Sequence, residues 1–454
     1  MAEPSQTGAC PRCAVLERRV AELQARLAEL ERLLDQRTRD GKRQAAPFSK
    51  GGPKANPRKR GRKPGDDYGI QAFRVAPQQP PDQVIPVAAP SRCPACGGRV
   101  RPTHVAQQFQ VDIPRRAILR RFELHIGECT GCGRRVQPRH ALQTSDALGA
   151  AAAQIGADAQ ALIALMKNRL GLSYGDIREL MRDGFDIELT RAAAAHIVRR
   201  AAQRAAPVYD AIRAIVPRCD TVYPDETGWK IGGRLHWLWD FVSDVCTLYV
   251  IRPSRGVDVP AEVLGMDYAG RMTHDGWAVY DRFRRAIHQQ CLQHLLRRAN
   301  ELIEPLTRRS ARFAARVKRF ILDALALRDR QRRGDIARPG YAVARGRLEK
   351  RLDRLLALRP RARLSRAFRN HLYRHRDQLL TFLYEENLEA TNWPAEQAIR
   401  PAVVNRKVCG GNRTAAGAHA LEVLISLFAT CRQNALDSLA VLASLLRTPA
   451  HSVG

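Results

Sequence analysis

The feature that most constrains the fold is a run of strand-like segments in which two aspartates follow β-branched and aromatic residues. Residues 221–227 show this composition and predict a strand that ends in the carboxylate of Asp225. Two more strands, a helix and a fourth strand are expected at residues 234–243, 245–252, 259–264 and 270–275. Because the fourth strand ends at Asp275, the sheet should carry acids at the ends of its first and fourth strands.

Three antiparallel strands, a helix and a parallel strand form the opening order of an RNase H-like fold, which brings those two acids side by side. A third acid, Glu396, lies near the start of a predicted helix, since Asn392 suits the N-cap and Pro394 the first turn. Three converging carboxylates can hold two hard divalent cations roughly 3.5–4 Å apart. Taken singly, the acids could instead be a turn cap, a solvated strand end and a helix N-terminal charge.

Six sequence motifs resemble those of the DDE transposases of bacterial insertion-sequence family 66. The resemblance covers nearly the whole chain, and the upstream order of zipper segment, basic linker, zinc module and helical region also matches. The motifs are Asp225-Glu226-Thr227-Gly228-Trp229, His236-Trp237-Leu238-Trp239, Arg252-Pro253-Ser254-Arg255-Gly256, Asp275-Gly276-Trp277, Cys291-Leu292-Gln293-His294-Leu295, and the segment from Thr391 to Pro401.

The resemblance implies a multidomain α/β protein with an RNase H-like mixed-sheet catalytic core. It implies that Asp225, Asp275 and Glu396 bind two Mg²⁺ or Mn²⁺ ions per active site and catalyse DNA transposition. The DNA partners would be the terminal inverted repeats of the element and the target DNA, and accessory proteins of the same element can take part. A structure-specific RNase H-like nuclease and a non-catalytic DNA-binding repressor are the alternatives.

Two Cys-x-x-Cys pairs, each followed by glycine, predict a metal-binding module ahead of the catalytic region. Each pair forms a knuckle that presents two thiolates, and two knuckles make a tetrahedral site for one structural Zn²⁺. Strand-like segments at residues 107–113 and 118–126 between the pairs suit a ribbon of hairpins. The predicted ligands are Cys93, Cys96, Cys129 and Cys132.

The N-terminal segment carries a heptad pattern of leucine and valine over residues 16–34. This pattern predicts a coiled coil and therefore a homodimer or higher oligomer, although one helix could bury the same stripe on its own globule. Ahead of it, Cys10 and Cys13 form half of a metal site. Two chains could complete that site, or the two residues could be free thiols.

The net charge of +31 is concentrated in two segments and indicates a polyanionic partner, usually nucleic acid. Residues 37–65 carry eleven basic residues and one acid, whereas residues 297–376 carry 25 basic residues and seven acids. The first segment is a flexible linker whose end resembles an AT-hook for the minor groove, although a merely solvated linker would look the same. The second lies in a predicted helical insertion against DNA. The linker cations expected to contact DNA are Arg58, Lys59, Arg60, Arg62 and Lys63.

Two further groups of residues are candidates around the acids. Arg400, Arg406 and Lys407 follow Glu396 along the chain and could hold the scissile phosphate. Cys291 and His294 share a helix face at i, i+3 spacing, as an accessory pair. The pair is interpreted either as a packed thiol with a hydrogen-bonded imidazole or as a group that positions DNA. Zinc is not expected there without two further ligands.

The remaining expectations concern the helical region, location and domain boundaries. Residues 174–202 have the layout of a helix-turn-helix with a turn at Gly184 and an N-cap at Thr190, or of an ordinary helical hairpin. No apolar run approaches the roughly 20 residues that span a bilayer, so a cytoplasmic, nucleoid-associated protein is expected. The expected units are the coiled coil 1–36, linker 37–88, zinc module 89–140, helical region 141–218, catalytic domain 219–434 with insertion 301–384, and C-terminal helix and tail 435–454.

Overall fold

The secondary structure is given by a computed structural model that describes residues 19–31, 78–101, 103–111, 113, 117–149, 154–303 and 308–448. The strands of these residues are β1 (Gly127–Glu128), β2 (Arg135–Val136), β3 (Thr221–Ile231), β4 (Arg234–Ser243), β5 (Thr247–Arg252), β6 (Arg271–His274) and β7 (Ile287–Gln290). Their α-helices are α1 (19–31), α2 (Ala157–Asn168), α3 (Tyr174–Phe185), α4 (Arg191–Ile215), α5 (Asp258–Leu264), α6 (Leu292–Ile303), α7 (Arg308–Arg332), α8 (Arg338–Leu356), α9 (Arg363–Arg374), α10 (Trp393–Cys409), α11 (Ala415–Gln433) and α12 (Ser438–Arg447).

The central sheet has five strands in the order β5-β4-β3-β6-β7. The strand β4 is antiparallel to both β3 and β5, whereas β6 runs parallel to β3 and β7 parallel to β6. This mixed topology is consistent with an RNase H-like core, and it contains the predicted order of the first four strands. The fifth strand, β7, was not expected, because its sequence Ile-His-Gln-Gln has no apolar alternation.

The strand β3, the first of the central sheet along the chain, is longer than the sequence indicated. Its length corrects the expected position of Asp225. Its ladder with β4 runs from the Val222–Ser243 pair to the Ile231–Arg234 pair, so Asp225 lies inside the strand and not at its end. The two strands are joined by Gly232 and Gly233, which have φ of 57° and 84°. Positive φ at both positions is the requirement of a tight two-residue hairpin, and it allows the ladder to continue to the turn.

The two faces of the sheet carry different partners because side chains alternate along each strand. Trp239 and Phe241 pack in the main core, which also contains residues of α2, α4, α11 and α12. Leu238 and Val242 point the other way, toward α10. The register places Asp225 on this second face, beside the helix that carries Glu396.

The segment between β7 and α10 is helical and has a core of its own. The helices α6 to α9 bury Leu295, Phe313, Phe320, Leu352 and Phe368 against one another. This core is separate from the cluster beneath the sheet, so the helices form a distinct layer attached to one edge of the strands.

The helical region ahead of the sheet differs from the expectation in its turn. Gly184 lies within α3, and the reversal begins at Asp186, which has a left-handed φ of 56°. A short polar side chain tolerates this conformation, so glycine was not required for the turn. Thr190 is the N-cap of α4, as expected, and its hydroxyl accepts a hydrogen bond from the Ala193 N–H at 3.0 Å.

The predicted zinc module contains little regular structure in the residues that are described. The strands expected at 107–113 and 118–126 are wrong for residues 107–111, 113 and 118–126, which form no ladder. Their apolar side chains face solvent, with Leu119 98% exposed, so no buried face holds them in register. The small hairpin of β1 and β2 is the strand pairing found there.

The N-terminal helix α1 is exposed along its whole described length. Its seam residues Val20, Leu23, Leu27 and Leu30 are all at least 51% exposed. Cys10, Cys13 and the linker cations Arg58, Lys59, Arg60, Arg62 and Lys63 lie outside the described residues. Across the part of the chain that is described, no helix is both long and apolar enough to cross a membrane.

A backbone contact beside the sheet generates a test of the fold. Gly411 has φ of 117°, and an added Cβ would collide with the Lys230 carbonyl oxygen of β3. We expect Gly411→Ala to lower the free energy of unfolding by about 2 kcal/mol or more, because strain and a backbone clash add. Gly346→Ala, which meets open space inside α8, should raise it by about 0.5–1 kcal/mol. Urea denaturation measures both, and equal stability of the two variants would contradict the fold described for this loop.

Candidate active site

Asp225 lies on β3 with its carboxyl group largely buried beside α10. Burial, followed by the negative charges of Glu226, Asp275 and Glu396, raises the pKa of Asp225 to about 7. A hydrogen bond of 2.9 Å from the Glu226 backbone N–H to Asp225 Oδ1 opposes this shift without cancelling it. The three predicted acids therefore lie near enough to affect one another, although they come from three separate elements.

Asp275 follows directly after β6, as the sequence predicted. Its Oδ1 accepts a hydrogen bond from the Trp277 backbone N–H at 2.8 Å, and Gly276 between them has φ of 87°. This turn is tight, and the left-handed conformation favours glycine at position 276. The aspartate is thus held by its own backbone rather than by a basic side chain.

A chain of histidines supports that turn, and sequence reasoning missed it. The Gly276 N–H donates to His274 Nδ1 at 3.1 Å, which leaves the proton on His274 Nε2. His274 Nε2 lies 3.0 Å from His288 Nδ1, and His288 Nε2 lies 2.9 Å from the Phe283 carbonyl oxygen. Burial lowers the pKa of both rings, so both are neutral and each can donate one proton along this chain. The isolated histidines in strand-like segments gave no signal of this network.

Glu396 lies in the first turn of α10, whose start is fixed by Asn392. Asn392 is the N-cap, as expected, but its side chain makes no capping hydrogen bond. Its Nδ2 instead donates to the Pro224 carbonyl oxygen at 2.8 Å, while its backbone N–H donates to Cys291 Sγ at 3.1 Å. These two contacts hold the start of α10 against β3, one residue before Asp225.

Two additional acids, which the sequence gave no reason to single out, lie next to Asp225. Asp240 is its direct partner across the ladder and is fully buried, with no hydrogen-bond partner for either oxygen among the described residues. Burial, and then the charge of Asp225, raises the pKa of Asp240 well above its usual value, which favours the protonated form. Glu226 points to the opposite face of the sheet, where its carboxylate accepts from Arg255 Nη2 at 2.7 Å.

Arg255 is held both by stacking on two tryptophans and by an ion pair. Its guanidinium carbon lies 4.6 Å from the ring centre of Trp237 and 4.3 Å from that of Trp277. Cation–π contacts with two tryptophans and an ion pair to Glu226 fix this side chain, because a planar guanidinium can stack and form an ion pair together. Trp277 follows Asp275 by two residues, so the stack also braces the loop of the second acid.

The three cations predicted downstream of Glu396 have different surroundings. Arg406 is partly buried, and its Nη1 donates to Thr227 Oγ1 at 2.8 Å and to the Gly228 carbonyl oxygen. This arginine ties α10 to β3, whereas Arg400 and Lys407 are exposed on the same helix. The accessory pair is also brought to the site, with His294 Nδ1 3.6 Å from Glu396 Oε1.

The two Cys-x-x-Cys segments form closely similar turns in the N-terminal module. Gly97 N–H donates to the Cys93 carbonyl at 2.9 Å, and Gly133 N–H donates to the Cys129 carbonyl at 2.8 Å. Backbone N–H groups lower the pKa of both Cys93 and Cys129, which favours the thiolate. Among the described residues, however, the four sulfurs of these pairs do not all lie within 4.8 Å of one another.

The three carboxylates repel one another and suit hard divalent cations as ligands. Within the described residues, Asp225, Asp275 and Glu396 form no ion pair with a lysine or arginine, and burial, followed by repulsion from neighbouring acids, raises the pKa of Asp225. Carboxylate oxygens are the ligands that Mg²⁺ and Mn²⁺ prefer. The negative charge of these carboxylates is therefore not balanced by a basic side chain among the described residues.

The raised pKa of Asp225 generates a test of this electrostatic picture. A carboxyl group with a raised folded pKa stabilises the protein fully below pH 3.8 and loses that stabilisation as the pH rises through about 7. Without added divalent cations, Asp225→Asn should therefore be more stable than the wild type at pH 8, by more than about 1 kcal/mol, and not at pH 4. Thermal unfolding at both pH values measures this, with the exposed Glu179→Gln as control. A difference that is the same at both pH values would contradict the assignment.

Comparison with known proteins agrees with the family resemblance that implied a joint role for Asp225, Asp275 and Glu396. A search of curated proteins finds no match to this chain. The family model described as "Transposase IS66 family" matches residues 152–420, from α2 through the first residues of α11, and so includes the sheet and the helical layer. That match covers more than half of the 454 residues, and the chain belongs to the IS66 family of transposases.

Proposed function

We propose that this protein catalyses DNA transposition with Asp225, Asp275 and Glu396 as the groups that hold two Mg²⁺ or Mn²⁺ ions. The observation that carries the proposal is that Asp225 is buried near the charges of Asp275 and Glu396, in a chain that belongs to the transposase family. The reactions are hydrolysis of the phosphodiester at the 3′ ends of the element and transfer of those ends to target DNA.

The chain's own residues supply positioning. The Asp225 backbone is rigid because it lies inside a ladder, and the hydrogen bond from Trp277 orients the Asp275 carboxylate. When bound, the divalent cations would activate the attacking water or 3′-hydroxyl and stabilise the leaving oxygen. The link from Asn392 to β3 keeps Glu396 within reach of the other two acids.

The DNA-binding surface is proposed to lie on the helical layer and on α10. Residues 297–376 include 25 basic residues and only seven acids, and Arg400 and Lys407, which follow Glu396 on α10, are exposed. Such an excess attracts phosphate without reading sequence, so it suits holding both element ends and target DNA. Reading of the inverted repeats is assigned to the N-terminal units, including the linker cations.

The N-terminal units are proposed to pair two element ends. Heptad side chains that are exposed along α1 support a coiled coil between chains, since such a stripe is normally buried by a partner helix. The similar turns of the two Cys-x-x-Cys segments, and the backbone N–H groups that lower the pKa of Cys93 and Cys129, support one structural zinc. Zinc would draw the two knuckles together.

End-specific cleavage is the experiment that tests the proposed function. Purified protein is incubated with labelled element ends and Mg²⁺ or Mn²⁺, together with Asp275→Asn, which preserves the acceptor for the Trp277 N–H. We expect 3′-end nicking and strand joining by the wild type, a loss of at least about 100-fold in the variant, and wild-type activity in the exposed Asp244→Asn control. Cleavage of any branched DNA would instead indicate a nuclease, and binding without cleavage would indicate a repressor.

Metal analysis tests the zinc module separately. We expect one zinc per chain after exhaustive dialysis, lost in Cys93→Ser and in Cys129→Ser but kept in Cys409→Ser, because four thiolates bind Zn²⁺ much more tightly than two. Fewer than one zinc in the wild type would contradict the four-cysteine site.

A further inference from the structure

A second set of metal-binding side chains lies where α6 meets α10. Cys291, His294 and Glu396 each offer a ligand atom, and these atoms all lie within 4.8 Å of one another. Among the residues that the structure describes, no other group of three or more Cys, His, Asp or Glu side chains has ligand atoms this close together. Two of them come from the first turn of α6 and the residue before it, and the third faces them from the first turn of α10.

The surroundings of the histidine point to a missing partner. His294 Nδ1 is buried and has no hydrogen-bond partner among the described residues, since Glu396 Oε1 is 3.6 Å away. A buried ring nitrogen without a partner is costly, and a metal ion between the imidazole and the carboxylate would satisfy both groups. The sequence offered only two ligands here, and the return of the chain in α10 supplies the third.

The surroundings of the cysteine also suit a bound ion. Cys291 is fully buried, and its Sγ accepts the Asn392 backbone N–H at 3.1 Å. Burial raises the pKa of the Cys291 thiol, the Asn392 N–H opposes that rise, and a coordinated metal ion would deprotonate the thiol. The same backbone contact fixes the sulfur relative to the start of α10, so the distance between Cys291 and Glu396 is set by the fold.

The donor atoms select the kind of ion. Mg²⁺ prefers oxygen ligands, whereas one sulfur, one nitrogen and one oxygen suit Zn²⁺, which also accepts three protein ligands with a fourth position open. Glu396 belongs to both sets, because it is also one of the three acids assigned to the catalytic cations.

We propose that Cys291, His294 and Glu396 form a Zn²⁺ site that overlaps the active site and inhibits the enzyme by withdrawing Glu396 from the Mg²⁺ or Mn²⁺ ions. The binding site stands on the contacts of these three side chains alone. Only the inhibition rests on the proposed function.

Cobalt titration of the full-length protein tests the binding site. After dialysis leaves the tightly held zinc in place, Co²⁺ is added, and its thiolate charge-transfer band and binding stoichiometry are measured. The wild type and the Cys409→Ser control should bind one more Co²⁺ per chain than Cys291→Ser, and Zn²⁺ should displace that ion. In His294→Gln the thiol remains, but the extra ion should be lost.

Two measurements keep this test decisive. Thermal unfolding establishes that each variant is folded, and Asp225→Asn should retain the extra Co²⁺, because Asp225 is not one of its ligands. An extra ion and a thiolate band of equal size in the wild type, Cys291→Ser and His294→Gln would overturn the proposal. So would the absence of an extra ion in the wild type.

Zinc inhibition tests the consequence. In Mn²⁺-dependent nicking of element ends, with each protein normalised to its own zinc-free rate, the zinc concentration for half inhibition should be at least tenfold higher for Cys291→Ser than for the wild type. Equal values would overturn the inhibitory role. If the wild type does not nick DNA at all, the proposed function fails, whereas the cobalt result still decides the metal site.

Discussion

The hydrogen bond from the Asn392 side chain to the Pro224 carbonyl joins parts of the chain that are 168 residues apart. It lies beside Asp225 on one side and one turn before Glu396 on the other. The same residue donates its backbone N–H to Cys291, so one asparagine connects β3, α6 and α10. Because Asp225 and Glu396 lie on different elements, this junction holds the start of α10, and with it Glu396, near Asp225.

A long helical segment separates Asp275 from Glu396, and the junction fixes the point at which the chain returns to the sheet. The helices α7 to α9 leave the sheet after α6 and return before α10, and they have a hydrophobic core of their own. Loop closure costs little more for a long segment than for a short one, and a segment with its own core costs less still. The insertion can therefore carry a large positive charge on helices that have a core separate from that of the sheet.

Much of this arrangement follows from local sequence patterns. Alternation and turn residues predicted β4 with its observed bounds and the position of Asp275, and helix signals predicted the start of α10 near Asn392. The strand β7 was missed because it is short and polar, and the length of β3 was missed because a glycine pair and not a carboxylate ends it. Asp240, the histidine chain and the Arg255 stack were missed for a different reason, since each depends on which residues meet across strands or loops. No spacing along one sequence reports such contacts.

The proposed function depends on a single centre formed by Asp225, Asp275 and Glu396, and diffraction from crystals soaked in Mn²⁺ tests that centre most directly. Anomalous scattering at the manganese edge identifies the ion independently of any zinc bound elsewhere. We expect two manganese peaks roughly 3.5–4 Å apart, both within coordination distance of the Asp225 carboxylate, with Asp275 and Glu396 among their ligands. The absence of manganese at Asp225 in a crystal soaked to saturation, or peaks held by other side chains, would contradict the proposed function.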